Sequence, residues 1–366
     1  MEFDVFLLYV PCVTTGPSAI PTRGATENPS NRFEKIHLEP DPEWAEEDQP
    51  LLRTQFLRDH SQTIISYNNS PDVGFEASIN PYRGCEHGCI YCYARPTHEY
   101  LGFSSGLDFE SKIMVKENAP TLLRAELSSP KWKPQVIAMS GVTDCYQPVE
   151  RKLKLTRGCL QVLAEFRNPV AIVTKNNLVT RDGDYLSELA RYNAAAVCIS
   201  LTSLDSELRR VMEPRTSPPA ARLAAIRTLS QAGIPVTALI APVIPGLNDH
   251  EIPRLIESAA QAGARHAGYV LLRLPYQNKQ LFEQWLETHF PLKKDKVLDR
   301  IRAVRHGKLN ESQFGDRMRG HGIFSEQIDQ LFGVACRKAG LSERFFDLST
   351  ASFRRPGGTQ LGLFEQ

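Results

Sequence analysis

The chain has 366 residues, of which 42% are hydrophobic and 23% are charged, and its formal net charge is +1. This size and composition predict one large hydrophobic core or two modest ones. A charge so close to zero gives no electrostatic reason to expect a nucleic-acid partner. Three of the eight cysteines crowd into residues 85–92 and the others are scattered, unlike a dense secreted disulfide framework. The pattern indicates a reducing compartment and one metal site.

An apolar run at residues 5–10 is too short to cross a bilayer. Glu2 and Asp4 lie where a signal peptide would carry Lys or Arg, so a signal peptide is not indicated. We therefore expect a cytoplasmic protein that has no membrane partner.

Residues 21–60 are extended and acidic in character. Residues 26–50 contain eight Asp and Glu but only two Lys and Arg, which gives a net charge of −6, and prolines interrupt the segment. Few apolar residues are available there to form a core. We interpret residues 1–60 as an N-terminal extension whose arm lies on the surface or is partly disordered.

Six short apolar runs follow, separated by amphipathic stretches. Their length and β-branched content predict buried parallel strands at residues 75–80, 136–139, 170–174, 195–201, 236–243 and 267–274. Helix signals lie between the strands. Ser217 and Pro218 begin one helix that Gly233 ends, and Asn248 begins another that ends at Gly263.

Six strand–helix units in a row predict an α/β fold for residues 61–290. The expected architecture is a partial (β/α)6 TIM-like barrel of parallel strands with outer helices. In such a fold the functional groups lie at the carboxyl ends of the strands.

The alternation of strands and helices stops near residue 275. Residues 280–289 and 296–306 are predicted to be helical, and residues 291–366 form a helical C-terminal extension. Residues 291–320 carry nine Lys and Arg against four Asp and Glu, a net charge of +5. This run is either a solvated helical face or a surface that faces nucleic acid.

The strongest functional signal is the C-x3-C-x2-C motif formed by Cys85, Cys89 and Cys92. Three thiolates within eight residues can ligate three irons of a cubane [4Fe-4S] cluster and leave the fourth iron open. Gly84 and Gly88 provide the backbone freedom that such a loop needs.

Two other interpretations of the motif remain open. Zinc could bind the three cysteines together with His87 or a distant histidine, although no second cysteine knuckle is present. A redox pair formed by Cys89 and Cys92 would leave Cys85 without a role.

The cysteine motif, with Tyr91 before its last cysteine, resembles the radical S-adenosylmethionine superfamily. Within that superfamily, the chain resembles the branch related to spore photoproduct lyase. The supporting segments are Asn80-Pro81-Tyr82-Arg83-Gly84-Cys85, Ser140-Gly141-Val142-Thr143-Asp144, Thr174-Lys175-Asn176, Ile199-Ser200-Leu201-Thr202, Glu213-Pro214-Arg215 and Ala241-Pro242-Val243-Ile244-Pro245-Gly246. An uncharacterised bacterial subfamily of the branch also opens with a segment similar to Arg23-Gly24-Ala25-Thr26-Glu27-Asn28-Pro29.

This resemblance implies two cofactors, a [4Fe-4S] cluster and S-adenosylmethionine, and a set of contacts to the second. Tyr91 would lie against the adenine, and Thr143 and Asp144 would lie near the methionine end. Lys175 would pair with the carboxylate, and Ser200 would reach the ribose. Thr143 and Asp144 could instead only cap a helix, and Ser200 could be an ordinary strand serine.

The implied activity is reductive cleavage of S-adenosylmethionine to a 5′-deoxyadenosyl radical, which abstracts hydrogen from a substrate. By analogy with the branch, that substrate is a nucleic-acid lesion or modified base. The alternatives are an enzyme acting on a protein or small metabolite, and a non-catalytic cluster-bearing interaction protein. The expected partners are DNA and an electron donor of the flavodoxin or ferredoxin type.

One position departs from the branch. Photoproduct lyases carry a hydrogen-donor cysteine at the end of the second strand, and this chain has Ser140 and Gly141 there. Cys145 could replace that catalytic cysteine only if its loop turned it inward, and a buried structural cysteine is the alternative.

The C-terminal residues Gln360, Leu361, Leu363 and Phe364 resemble the peptide by which bacterial repair and replication proteins dock on the DNA sliding clamp. In that interpretation the two apolar residues at its end would fill a hydrophobic pocket. The alternative is that Phe364 packs on the chain's own core.

Overall fold

A computed structural model describes residue 20 and residues 22–34, 53–344 and 346–356. Its ten strands are β1 (Gln55–Arg58), β2 (Ile65–Tyr67), β3 (Ala77–Ile79), β4 (Tyr82–Arg83), β5 (Lys112–Val115), β6 (Ile137–Met139), β7 (Val170–Thr174), β8 (Ala195–Ser200), β9 (Val236–Val243) and β10 (His266–Leu271). The described α-helices are α1 (Leu107–Ser111), α2 (Ala119–Ser128), α3 (Glu150–Leu153), α4 (Leu155–Phe166), α5 (Gly183–Ala190), α6 (Ser206–Met212), α7 (Pro219–Gln231), α8 (Ile252–Gln261), α9 (Asn278–His289), α10 (Lys294–Ala303), α11 (Asp316–Arg319) and α12 (Gly322–Ala339). Short 3-10 helices span Arg95–Leu101, Asn177–Asp182, Asp249–Glu251 and Pro291–Lys293.

A seven-stranded sheet organises the molecule, with strand order β10-β9-β8-β7-β6-β3-β2. Neighbouring strands from β3 to β10 pair in parallel, and only the edge strand β2 runs antiparallel to its neighbour. Helices connect the parallel strands, as right-handed crossovers require. The predicted partial (β/α)6 TIM-like barrel is therefore confirmed. A small sheet, β1-β5-β4, lies beside it.

The six parallel strands are buried because their residues are apolar on both faces. Every residue of β8 is buried, and the inward residues of β7 and β9 lie in the same hydrophobic core. Helices such as α4 and α8 cover that core with one apolar face each. The predicted stop of α7 is confirmed, since Gly233 follows the helix with φ +77°, and its start lies one residue later than predicted, with Pro218 as the N-cap and Pro219 as the first helical residue.

Part of the predicted surface arm packs against the rest of the molecule. Gly24, Ala25, Pro29 and Asn31 are buried within residues 22–34, a segment we call the strap. Residues 35–52 of the arm, and the tail at Gln360, Leu361, Leu363 and Phe364, lie outside the described residues. None of the described helices is long and apolar enough to span a membrane.

Candidate cluster and cofactor site

The loop that carries the three cysteines follows β4 directly. All three thiols are free, those of Cys85 and Cys89 are buried, and that of Cys92 is partly buried. Gly88 has φ +65°, and a Cβ there would lie 2.6 Å from the Glu110 carboxylate. Only glycine combines that backbone conformation with so close a contact, which explains its position between the cysteines.

A buried ion pair beneath the loop holds its backbone in place. Arg95 is fully buried and donates to the carbonyl oxygens of Cys89 at 3.0 Å and Gly88 at 3.3 Å. The same guanidinium bonds the Glu110 carboxylate at 2.5 Å. Sequence reasoning missed this pair, because neither residue belongs to a recognisable motif.

The strap closes over the outer side of the cluster loop. The backbone N–H groups of Gly24 and Ala25 donate to the two oxygens of Glu110 at 3.0 Å and 2.9 Å. A Cβ on Gly24 would lie 1.8 Å from the Gly88 carbonyl oxygen, so strap and loop touch through their backbones. Glu110 therefore joins the strap, Arg95 and the cluster loop into one unit.

The electrostatic environment of the thiols suits a bound cation. Burial, and then the nearby Asp144, Cys89 and Cys92, raise the pKa of the Cys85 thiol well above its ordinary value. Burial and Glu213 raise the pKa of Cys89, and the positive charge of Lys175 opposes them. Bare thiols in this loop hold their protons, and a metal centre that replaces those protons relieves the cost of burying thiolates. Among the described residues, no three His, Cys, Asp or Glu side chains converge as ligands of a single metal ion would.

His87, the proposed fourth ligand in the zinc interpretation, already has two partners. Its Nδ1 lies 3.3 Å from Asp144 Oδ2, and its Nε2 lies 3.3 Å from Asn176 Nδ2. The ring is 1% exposed. Both ring nitrogens are thus engaged with protein groups.

Asp144 and Thr143 lie in the loop beyond the carboxyl end of β6, as the sequence predicts. Asp144 accepts from the backbone N–H of Lys175 at 2.8 Å and from the Thr174 hydroxyl at 2.8 Å. Burial alone would raise its pKa, but His87 and the backbone N–H groups of Lys175 and Tyr146 lower the pKa of Asp144 to about 2. Thr143 donates its hydroxyl to the Tyr82 carbonyl oxygen at 2.8 Å. These bonds show that both residues fix the loop; contact with the methionine end of a cofactor stays a prediction.

Lys175 and Tyr91 lie together near the cysteines. The Lys175 Nζ lies 5.8 Å from the centre of the Tyr91 ring. Within the described part of the chain, Lys175 has no carboxylate within ion-pair distance, and its charge lowers the pKa of Cys89 and Cys92. A half-buried, unpaired ammonium at this position is free to bind a carboxylate supplied by a ligand.

A buried carboxylate beneath Tyr91 is a further site residue that sequence reasoning did not assign. Glu213 accepts hydrogen bonds from the Tyr91 hydroxyl, from Arg222 and from Thr202, the last at 2.6 Å. Burial would raise its pKa, but Arg222 and Lys175 lower the pKa of Glu213 to about 2. Glu213 therefore orients the Tyr91 ring as a fully ionised acceptor.

Ser200 ends β8 and provides the clearest test of cofactor fit. The residue is 1% exposed, and its Oγ has no hydrogen-bond partner among the described residues. A buried hydroxyl without a partner is costly unless a ligand supplies one. Ser200, Lys175 and the three cysteines lie at the carboxyl ends of β8 and β7 and beside β4, so the residues present fit a cluster and a polar cofactor beside it.

Cys145 is enclosed in the protein interior. It is 0% exposed and packs in the main hydrophobic core with Tyr146 and Cys159. Burial and Asp144 raise its pKa well above the ordinary value for a thiol. This burial agrees with the structural alternative, and a catalytic role for Cys145 stays a prediction.

Comparison with known proteins identifies the type of domain. The model of the Radical SAM superfamily matches residues 79–259, which include the cluster loop, Lys175 and Ser200. An uncharacterized protein of Mycobacterium tuberculosis strain H37Rv is 38% identical over 225 residues, which cover 61% of this chain and 66% of that protein. An uncharacterized protein of Methanocaldococcus jannaschii is 34% identical over 178 residues, or 49% and 64% of the two chains. The chain thus spans just under two thirds of the length of these relatives.

Solved structures share the fold. Spore photoproduct lyase complexed with dinucleoside spore photoproduct matches with a TM-score of 0.56 and 17% identity, covering 80% of this chain and 82% of that one. A variant of that lyase with bound AdoMet and dinucleoside spore photoproduct matches with a TM-score of 0.55 and 18% identity over the same shares. At this level of sequence identity, the similarity is evidence for a shared fold alone.

Proposed function

This chain belongs to the radical S-adenosylmethionine superfamily, and we propose that it is an enzyme whose Cys85, Cys89 and Cys92 ligate a [4Fe-4S] cluster. The observation that carries the proposal is the placement of three free thiols beside two unsatisfied polar groups. Lys175 offers an unpaired ammonium and Ser200 a buried hydroxyl with no partner in the described part of the chain. When bound, the reduced cluster and S-adenosylmethionine together supply a 5′-deoxyadenosyl radical that abstracts hydrogen from the substrate.

The chain's own residues bind and orient the cofactor. Lys175 pairs with the carboxylate, and Ser200 supplies a hydrogen bond to the ribose. Tyr91, held by its hydrogen bond to Glu213, lies against the adenine. Asp144 and Thr143 act at the methionine end, and Asp144 also fixes the Lys175 backbone.

The substrate we propose is a nucleic-acid lesion or modified base. Support comes from the fold shared with spore photoproduct lyase and from the basic run at residues 291–320, whose net charge is +5. The alternative substrate class is a protein or small metabolite. Cys145 has no role in this proposal, because it is enclosed in the core.

The proposed partners are an electron donor of the flavodoxin or ferredoxin type, DNA, and the bacterial sliding clamp. We place the enzyme in the cytoplasm, where such donors and DNA are available. The clamp contact would use the tail residues 360–364.

The test of the proposal measures the cluster and its turnover separately. Anaerobically purified protein should be brown, with iron and sulfide near four per chain, since a cubane cluster contains about four of each. Reduced protein mixed with S-adenosylmethionine should form 5′-deoxyadenosine. Changing Cys85, Cys89 or Cys92 to Ala should abolish both results, whereas the matched control Cys336→Ala, on α12 and outside the cluster loop, should keep them.

Two outcomes would contradict the proposal. A colourless protein with stoichiometric zinc would show a different metal site. A complete cluster without any 5′-deoxyadenosine would favour the non-catalytic interaction protein.

A further inference from the structure

Arg273 lies against the cluster loop, in the segment that follows β10. The side-chain amide of Asn278, at the start of α9, donates to the Cys92 carbonyl oxygen at 2.7 Å and ties this segment to the loop. The Arg273 guanidinium lies over the ring of Tyr93, 5.5 Å from its centre. Tyr93 directly follows the last cysteine of the motif. A cation therefore lies against the residue that follows Cys92.

The Arg273 guanidinium has no anionic partner in the described part of the chain. Its polar contact is a long one, from Nη1 to the Met318 sulfur at 3.7 Å, and its Nε is buried without a partner. Burial and the neighbouring Arg317 lower the pKa of Arg273. A half-buried guanidinium in this state is costly to the folded protein unless an anion joins it.

No carboxylate among the described residues forms an ion pair with Arg273. Asp72 is the nearby carboxylate, and it already bonds Arg317 and the Gly315 N–H, the latter at 2.7 Å. Arg305 adds a second cation, whose guanidinium donates to backbone carbonyl oxygens such as that of Leu272 at 2.8 Å. Glu311 and Asp316 act on Arg305 rather than on Arg273. A local excess of positive charge therefore remains beside Tyr93.

One exposed aromatic ring, Tyr93, lies against this cation, and a second, Tyr276, follows three residues later in the same segment. Tyr93 is 49% exposed, and its hydroxyl donates to the Gly141 carbonyl oxygen at 2.7 Å, which fixes the ring. Tyr276 is 59% exposed and has φ +50°, a backbone conformation that non-glycine residues rarely adopt. The Arg32 guanidinium of the strap lies 3.6 Å from the Tyr276 ring centre and holds it in place. Strained backbone that presents a fixed aromatic ring to solvent is typical of a binding surface.

We propose that Arg273 anchors a backbone phosphate of the substrate strand beside the cluster loop, with Tyr93 and Tyr276 as stacking surfaces for its bases. The inference rests on the nucleic-acid substrate proposed above and assigns it a binding site. A guanidinium binds phosphate through paired hydrogen bonds, and exposed aromatic rings stack on any base. The Arg273 guanidinium alone could bind a peptide carboxylate as well as a phosphate. The exposed rings favour a nucleotide strand over an acidic peptide, because they can stack on its bases.

The test uses cluster-loaded full-length protein under anaerobic conditions and two labelled probes. One probe is single-stranded hexathymidylate, and the other is the same strand with neutral methylphosphonate linkages. The wild-type protein should bind the charged strand at least tenfold more tightly. Arg273→Gln should lose about tenfold in affinity for the charged strand and should reduce the slope of log affinity against log salt by about one. The matched control is Arg210→Gln, which removes an exposed arginine already paired with Glu207 at 2.8 Å and outside the basic run.

The outcomes separate this inference from the proposed function. If the wild-type protein binds the two probes equally, Arg273 does not anchor a phosphate, although the substrate could still be a nucleic acid. That measurement needs no variant. Unchanged affinity and salt slope in Arg273→Gln, with iron content equal to wild type, would do the same. Failure of the wild-type protein to bind hexathymidylate, or tighter binding of hexaglutamate, would overturn the anchor together with the nucleic-acid substrate. In each of these cases, formation of 5′-deoxyadenosine from S-adenosylmethionine tests the radical chemistry separately from strand binding.

Discussion

Lys175 and Ser200 are the two side chains whose unsatisfied groups point to a bound cofactor. We predict that Lys175→Ala weakens binding of S-adenosylmethionine roughly tenfold to 100-fold, because a hydrogen bond to a charged group contributes about 1.5–3 kcal/mol. Ser200→Ala should weaken it less, since it removes a neutral hydrogen bond. Equilibrium binding to the cluster-loaded protein measures both effects, and iron content should not change. Lys152→Ala, on the exposed surface of α3, is the control. Equal affinity in all four proteins would remove both residues from the cofactor site.

His98 supports a prediction about pH. It is 0% exposed, packs between Phe103 and Phe109, and neither ring nitrogen has a partner among the described residues. Burial lowers its pKa from 6.5 to about 4. In the unfolded chain His98 therefore binds a proton near pH 6.5, whereas in the folded protein it stays neutral until about pH 4. The free energy of unfolding consequently falls as pH falls below 6.5.

Between pH 7.5 and pH 5 this loss should be about 2 kcal/mol. His98→Leu should reduce the difference between the two pH values by that amount, measured by urea unfolding. His250→Leu, on the surface, should not. A wild-type pH dependence that His98→Leu leaves intact would assign the effect to other groups.

At the residue scale, sequence predicts the side chains that follow strands and misses those that pair across the chain. The three cysteines, Lys175 and Ser200 can be located because each belongs to a motif at a strand end. Glu110 cannot, since its importance comes from contacts with Gly24 and Arg95 that are distant in sequence or hidden inside a loop. The orientation of Cys145 was also open, because a loop's direction depends on packing that no local pattern records.

The strap supports a prediction at the scale of elements. A Cβ on Gly24 would meet the Gly88 carbonyl oxygen at 1.8 Å, so Gly24→Ala must displace the strap or the cluster loop. We expect the cluster of this variant to bleach several-fold faster in air and the protein to lose about 1–3 kcal/mol of stability through overpacking. Gly183→Ala, where a Cβ meets nothing within 4 Å, is the matched control. Identical bleaching rates in the two variants would show that the strap does not shield the cluster loop.

Strand prediction succeeded where burial is complete. The strands β7 and β9 match the predicted ranges residue for residue, because parallel strands covered on both faces are continuous apolar runs. The three strands of the small sheet, β1, β4 and β5, and the edge strand β2 were missed. Each has at most four residues, and β1 and β4 are largely polar or exposed and are held by pairing with β5 rather than by an apolar pattern.

At the scale of the whole molecule, contacts outside the sheet connect its two edges. The strands β2 and β10 are the edge strands, and neither pairs with the other among the described residues. Asp72, in the loop after β2, forms an ion pair with Arg317 of α11, and α11 contacts β10. This contact holds the open side of the barrel near Arg273. The basic run therefore contributes to closing the fold as well as to its surface charge, and local periodicity could not have distinguished the two roles.

The tail leads to the last prediction, which concerns how the molecule is recruited. Before the tail, the chain is fixed on the barrel, because the Arg354 N–H donates to the Phe166 carbonyl oxygen at 2.9 Å and Arg355 bonds the Trp132 carbonyl at 3.0 Å. The tail residues Leu363 and Phe364, outside the described residues, resemble a clamp-binding peptide. We predict that the full-length protein binds a bacterial sliding clamp with roughly micromolar affinity, about −8 kcal/mol.

Titration of the clamp with wild-type protein and with the double variant Leu363→Ala/Phe364→Ala measures this affinity. The variant should lose at least tenfold, because the two side chains are the apolar anchors of the peptide. Leu292→Ala removes an apolar side chain that is 100% exposed elsewhere on the surface and should bind like wild type. If the double variant also binds like wild type, the tail is not a clamp ligand. Recruitment to DNA would then depend on the surface around Arg273 and the basic run, whose charge attracts any strand but selects no site along it.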